Sequence, residues 1–109
     1  MRTLMLLILL AFSVSVSAGS ADISRGQSKA AMCTACHGAN GISVLPDYPN
    51  LAGQNKEYLQ YALKAYRDGK RKGGFAFIMQ ANASALSDQD IEALAVFFSS
   101  QNGKQHQTC

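Results

Sequence analysis

An unbroken apolar run from Leu4 to Phe12 opens the chain, preceded by Met1-Arg2-Thr3 and followed by the small residues Ser13 to Ala18. It shows no helical or strand periodicity. A basic start, a short apolar stretch and a small-residue end have the organisation of a secretory signal peptide, and nine apolar residues fall well short of the roughly 20 that a membrane-spanning helix needs. Val16 and Ala18 suit the positions before a cleavage site, so cleavage is expected after Ala18, with Ala21 as second choice. This leaves one domain, residues 19–109, working outside the cytoplasm.

Beyond residue 21 the pattern changes to helical spacing interrupted by Gly and Pro. A first helix is expected from about Ser24 to Ala35, with Ser24 and Gln27 spaced as a capping box, Ile23 packing from just outside, and Gly38 and Gly41 as stop signals. A second is expected from about Asn55 to Asp68, where Leu59, Ala62, Leu63 and Tyr66 form an i, i+3, i+4, i+7 stripe and Gly69 provides a left-handed cap. A third begins at Ser87, with Asp90 three residues on and Ile91, Leu94, Ala95 and Phe98 as its apolar face, before Gly103 stops it. The stretch Gly41–Gly53, with Pro46 and Pro49, reads as a loop. Gly73-Gly74 and the following Phe75 to Met79 read as a second connection. Nothing alternates as a strand would, so the chain reads as all-α.

Composition then raises a difficulty. From Gly19 onward there are 39 hydrophobic residues, but 14 are Ala and 3 are Cys, leaving 22 larger apolar or aromatic side chains. A domain of this size buries only about 60–65% of its unfolded surface, so a core this poor calls for a covalent staple or a bound group. The same segment carries 9 basic and 7 acidic residues, a balance too near neutral for a nucleic-acid binder.

Cys33-Thr-Ala-Cys36-His37 supplies the missing piece. C-x-x-C-H is the signature of covalent haem attachment: cysteines at i and i+3 on a helix end lie on one face, each able to add to one vinyl group, and the histidine that follows reaches the iron. A thioredoxin-like pair would need a βαβ pattern that is absent. A zinc site would need a second ligand pair where only His106 and Cys109 remain, and a plain disulfide leaves the adjacent His37 without a role. A large flat apolar group also compensates for the thin core and couples folding to its attachment.

With these residues, the sequence resembles a class I c-type cytochrome, specifically the small bacterial single-haem type that also forms one half of tandem di-haem proteins. The resemblance runs from Gly26 to about Gln101 through Cys33-x-x-Cys36-His37-Gly38, Tyr48-Pro49-Asn50-Leu51-Ala52-Gly53-Gln54, Tyr58-Leu59, Gly69-x-Arg71, Met79, Leu86-Ser87, Asp90-Ile91, Leu94-Ala95 and Phe98. It implies a small cytochrome c fold: three main helices and their loops around one haem c. Gly26 would permit close approach of the first and last helices, with Phe97 or Phe98 in the aromatic position of the last. It also implies axial ligation by His37 and by Met79, seven residues before Leu86. Met1 and Met5 leave with the signal and Met32 adjoins Cys33, on the wrong side of the haem; a core-filling role for Met79 and ligation by His106 are the competing assignments. The resemblance further puts the Pro49 carbonyl beside the ligand's Nδ1–H. Arg71 is either a partner for a haem propionate or a solvated member of the run Arg67 to Lys72.

A His/Met iron has no open coordination position and suits electron transfer, not catalysis. The expected function is therefore a diffusible periplasmic single-electron carrier, working with membrane cytochrome complexes, oxidases or dehydrogenases. The alternative is a permanent cytochrome subunit of a periplasmic oxidoreductase such as a flavin-linked sulfide dehydrogenase. A haem sensor or peroxidase-like enzyme would need a labile sixth ligand, against which Met79 argues. Cys109, an odd terminal thiol, offers a route to a dimer of an otherwise monomeric protein.

Overall fold

A computed structural model describes Ala11, Ser13 and residues 18–103, and among these residues every regular element is a helix. The segment up to residue 17, apart from Ala11 and Ser13, on which the expected signal peptide falls, and the tail bearing His106 and Cys109 lie outside the described residues. The helices run α1 Ala18–Ala30, α2 Thr34–His37, α3 Lys56–Arg67, α4 Ala76–Ala83 and α5 Asp88–Ser99.

The N-terminal part differs from its sequence reading. Helix α1 starts six residues before Ser24, so Ser24 is an exposed residue of the helix body and no capping box forms there; Ile23 is likewise within α1 and exposed. The segment expected as one helix to Ala35 is two. The amide of Cys33 donates back to the carbonyl of Ala30 at 2.8 Å, a tight i→i+3 turn that ends α1 and re-aims the chain into α2. Gly38 then closes α2 with φ of 82°.

The C-terminal part follows its local signals closely. Asn55 caps α3, its Oδ1 accepting from the Tyr58 amide at 2.9 Å, and Gly69 adopts φ of 67° just beyond the Asp68 end. At α5 the capping box is complete: the Asp90 amide donates to Ser87 Oγ at 3.0 Å and the Ser87 amide to Asp90 Oδ2 at 3.1 Å. Between them lies α4, where the sequence suggested only a connection. Its residues, Ala-Phe-Ile-Met-Gln-Ala-Asn-Ala, are apolar on most sides, so no stripe distinguishes a buried face from an outer one.

Helix α5 is the hub, packing against α1 and α3, while α4 packs on α3. Its Ile91 and Leu94 are the largest fully buried side chains, each contributing about 2 kcal/mol by removal from water. Ala30, Leu59, Ala83, Leu86, Ala95 and Phe98 complete the core. The α1–α5 crossing depends on Gly26: a Cβ there would run into the Ala93 carbonyl oxygen and come within 2.7 Å of Phe97 Cβ. Asp90, only 4% exposed, holds the same crossing electrostatically. Arg25 Nη2 sits 2.9 Å from its Oδ1 and Lys29 Nζ 3.5 Å from its Oδ2. Led by the bond from the Ser87 backbone N–H, these contacts bring the Asp90 carboxyl down to about 2 despite the cost of burying it. On the other side of α5, Arg67 of α3 donates to Asp88 at 2.7 Å and to the Leu86 carbonyl at 3.3 Å.

Two outcomes follow for the holoprotein. Gly26→Ala is expected to cost about 1–3 kcal/mol by overpacking, read as a fall of roughly 4–8 °C in Tm for each kcal/mol; an unchanged Tm would mean that the crossing relaxes freely. Because the folded-state pKa of Asp90 lies below its ordinary 3.8, its contribution is complete above that pH and fades as the pH falls toward about 2. Denaturant titrations should therefore show wild type more stable than Asp90→Asn near neutrality, with the gap closing across that acid window.

Candidate functional site

The site is assembled where α1 turns into α2. Cys33 occupies the residue before α2 and packs against the main core, Cys36 lies in its last turn, and both are partly buried free thiols. The amides of Cys36 and His37 both donate to the Cys33 carbonyl, at 3.2 and 2.9 Å, so the two cysteines and the histidine share one helical turn. Burial, and secondarily the neighbouring Cys36, pushes the Cys33 thiol up from its ordinary value of 9.0, so it stays protonated at neutral pH.

His37 is 5% exposed. Its Nδ1 lies 2.7 Å from the backbone carbonyl oxygen of Pro49. A carbonyl only accepts, so Nδ1 must carry a proton and donate, which leaves Nε2 as the nitrogen available to another partner. The Tyr48 ring meets the imidazole edge-on, with centroids 6.3 Å apart. The loop that delivers Pro49 is closed by hydrogen bonds: the Leu51 and Ala52 amides donate to the Gly41 carbonyl at 2.8 and 3.1 Å, and the Ser43 amide donates to Asn50 Oδ1 at 2.8 Å. Gly41 itself needs its φ of 70°, since Ala52 N and Gln101 Oε1 crowd the place of a Cβ. A cleft of about 460 Å³ opens along this loop, between Ser43 and Asn50.

The remaining sequence-predicted residues lie elsewhere. Met79 is half-buried on α4. Arg71 is exposed and stacks on the Tyr66 ring, 4.8 Å from its centroid. The structure thus brings Cys33, Cys36, His37 and Pro49 together, and pairs Arg71 with an aromatic ring of α3. Ser43, Asn50 and Tyr48 had no role assigned from sequence. Ser43 and Asn50 carry only the general signal of short polar side chains in a loop, which bond to nearby backbone, and nothing in the sequence singles out Tyr48.

This donor set fits a covalently held haem. Two unoxidised thiols share one turn, the adjoining imidazole has Nδ1 engaged and Nε2 left over, and large apolar side chains such as Phe75, Phe77, Leu45 and Tyr58 lie exposed, while among the described residues Ile91 and Leu94 are the largest that are fully buried.

An all-helical domain with this motif is of the kind that attaches a c-type haem, and the comparisons agree. The chain belongs to the cytochrome c family, whose model, described as Cytochrome c, matches residues 23–102. Over 80 residues it is 50% identical to cytochrome c-554(548) of Halomonas halodenitrificans, covering 73% of this chain and 96% of that one. Over 102 residues it is 41% identical to cytochrome c4 of Pseudomonas aeruginosa, covering 93% of this chain and 49% of the relative; the chain thus spans about half the length of the cytochrome c4 relatives it matches. A protein named thiosulfate dehydrogenase electron acceptor, from Stutzerimonas stutzeri, is 40% identical over 73 residues, 67% of this chain and 34% of that one. Among solved structures, reduced recombinant cytochrome c4 from Pseudomonas stutzeri superposes with a TM-score of 0.70 at 30% identity, over 76% of this chain and 50% of that one. The protein is a class I c-type cytochrome: it carries one covalently bound haem c and serves electron transfer.

Proposed function

We propose that this chain is an exported, periplasmic one-electron carrier whose haem is attached through Cys33 and Cys36 and whose iron is held by His37 and Met79. The observation that carries the reading is the His37–Pro49 bond, which fixes the tautomer with Nε2 free and raises its basicity as a ligand. When bound, the haem supplies a low-spin iron that takes up or releases one electron without an open position for chemistry.

The chain's own residues do the rest. Cys33 and Cys36 would hold the haem through thioethers, each Sγ–H adding across one vinyl double bond with no leaving group, and the shared helical turn sets both cysteines and the histidine in one register. Helix α4 brings Met79, the remaining ligand, with a soft thioether that favours the reduced iron. Arg71 lies over the Tyr66 ring, and its guanidinium is the candidate partner for a haem propionate. The apolar segment Leu4–Phe12 supports export, with the mature chain beginning at Gly19 or Asp22. No helix among the described residues is long and apolar enough to cross a membrane.

One comparison favours a second reading. The relatives named thiosulfate dehydrogenase electron acceptor point to a dedicated oxidoreductase partner, in which this chain would be a standing electron-accepting subunit.

Absorption spectra of the protein matured with covalent haem test the ligands. Wild type is expected to show sharp low-spin reduced bands and the weak red charge-transfer band of a Met–iron bond. Met79→Ala is expected to lose that band and bind carbon monoxide when reduced; retention of the band would remove Met79 from the iron. Gel filtration of the native extract separates the two functional readings: a free carrier elutes as a small monomer, a standing subunit with its larger partner.

A further inference from the structure

The Pro49 carbonyl that orients His37 is poorly anchored by its own residue. Proline has no amide proton to tie it down, Pro49 is exposed, and the loop ahead of it is scarcely covered, with Val44 92% and Leu45 52% exposed. Little of the loop ahead of Pro49 packs to set the position of this oxygen. Hydrogen bonds hold the loop. Two of them, from the Leu51 and Ala52 amides to the Gly41 carbonyl, close the base of the loop. Next to Pro49 it is crossed by the Ser43 amide donating to Asn50 Oδ1 at 2.8 Å.

Ser43 connects that crossing to the haem-attachment turn. Its Oγ accepts from the Leu45 amide at 3.1 Å, and its single proton is shared between the Leu45 carbonyl at 2.8 Å and the Cys36 carbonyl at 3.2 Å. The helix bearing Cys36 and His37 and the strand of loop bearing Pro49 are therefore joined twice, once through His37 Nδ1–Pro49 O and once through Cys36 O–Ser43–Asn50. Such a closed ring of bonds holds the imidazole at one angle and one donor–acceptor distance, where the Nδ1 bond alone would let the ring swing with the loop.

We infer that Asn50 is a positioning residue for the proximal imidazole: by clamping Ser43 across the loop it holds the Pro49 carbonyl on His37 Nδ1, and so sets how strongly His37 donates to the iron. This rests on the assignment of His37 as an axial ligand. A partner that strengthens the Nδ1–H bond makes the ligand more basic and favours the oxidised iron; releasing the clamp weakens that bond, so the midpoint potential rises.

The test compares holoprotein of wild type, Asn50→Ala and Asn50→Asp by potentiometry and by nuclear magnetic resonance of the His37 ring protons. Asn50→Ala is expected to raise the midpoint potential and to speed solvent exchange of the Nδ1–H at least tenfold. Asn50→Asp keeps an Oδ acceptor for the Ser43 amide and is expected to exchange at the wild-type rate; its added negative charge moves the potential down, opposite in sign to the alanine variant. If Asn50→Ala lowers only the Tm, leaving exchange and potential unchanged, Asn50 merely holds the loop and the inference fails. Should Asn50→Ala not mature, Asn50→Ser, too short to reach the Ser43 amide, is read against the same two outcomes. The ligand assignment fails differently: wild-type His37 protons would then lack the ring-current shift of an axial imidazole, whatever the variants do.

Discussion

The approach of α1 to α5 governs the placement of everything else. With no side chain at Gly26, the backbone of α1 can lie against the Ala93 carbonyl and Phe97, and Asp90 then finds Arg25 and Lys29 within reach. The apolar and the charged parts of this contact reinforce one another: close packing excludes water from Asp90, and the two cations and the Ser87 amide satisfy a carboxylate that would otherwise be costly to bury. Ala30, fully packed in this interface, is the residue to which the Cys33 amide returns. The turn presenting Cys33, Cys36 and His37 is thus fastened directly to the helix crossing. Helix α5 also packs against α3, on which α4, bearing Met79, packs in turn.

Much of this was legible from the chain alone where one residue decides a local outcome. Asn55, Gly69, and Ser87 with Asp90 act through bonds to backbone a few residues away, and each element begins or ends as those residues dictate. Cys33, Cys36 and His37 were legible for the same reason, their spacing being itself the geometry. The failures lie where the outcome is tertiary. Ser24 carries a good capping signal, yet α1 runs through it because the residues before it continue the helix. Helix α4 was hidden by being apolar on nearly every side. Asn50 lies in a recognisable stretch, but nothing in the sequence says that its amide oxygen meets Ser43 across the loop.

For an electron carrier these features have a common sense. Electron transfer is fast when the surroundings of the iron hardly change between its two oxidation states. An imidazole bonded to a backbone carbonyl, seated on a helix turn that is itself tied to the core, has little freedom to move. The likeness to cytochrome c-554(548) over nearly all of that protein, and to half the length of cytochrome c4, shows that this compact unit occurs both by itself and as part of a longer chain.

The helices that cross at Gly26 come from opposite ends of the described chain, and Arg25 and Asp90 are 65 residues apart. Closing a loop of that length costs on the order of 4 kcal/mol of chain entropy before any contact offsets it. The bonds within the turn of Cys33, Cys36 and His37 close over three or four residues and carry little of this cost. The haem-attachment turn is therefore specified locally, while the helix it leans on must be recruited from the far end of the described sequence.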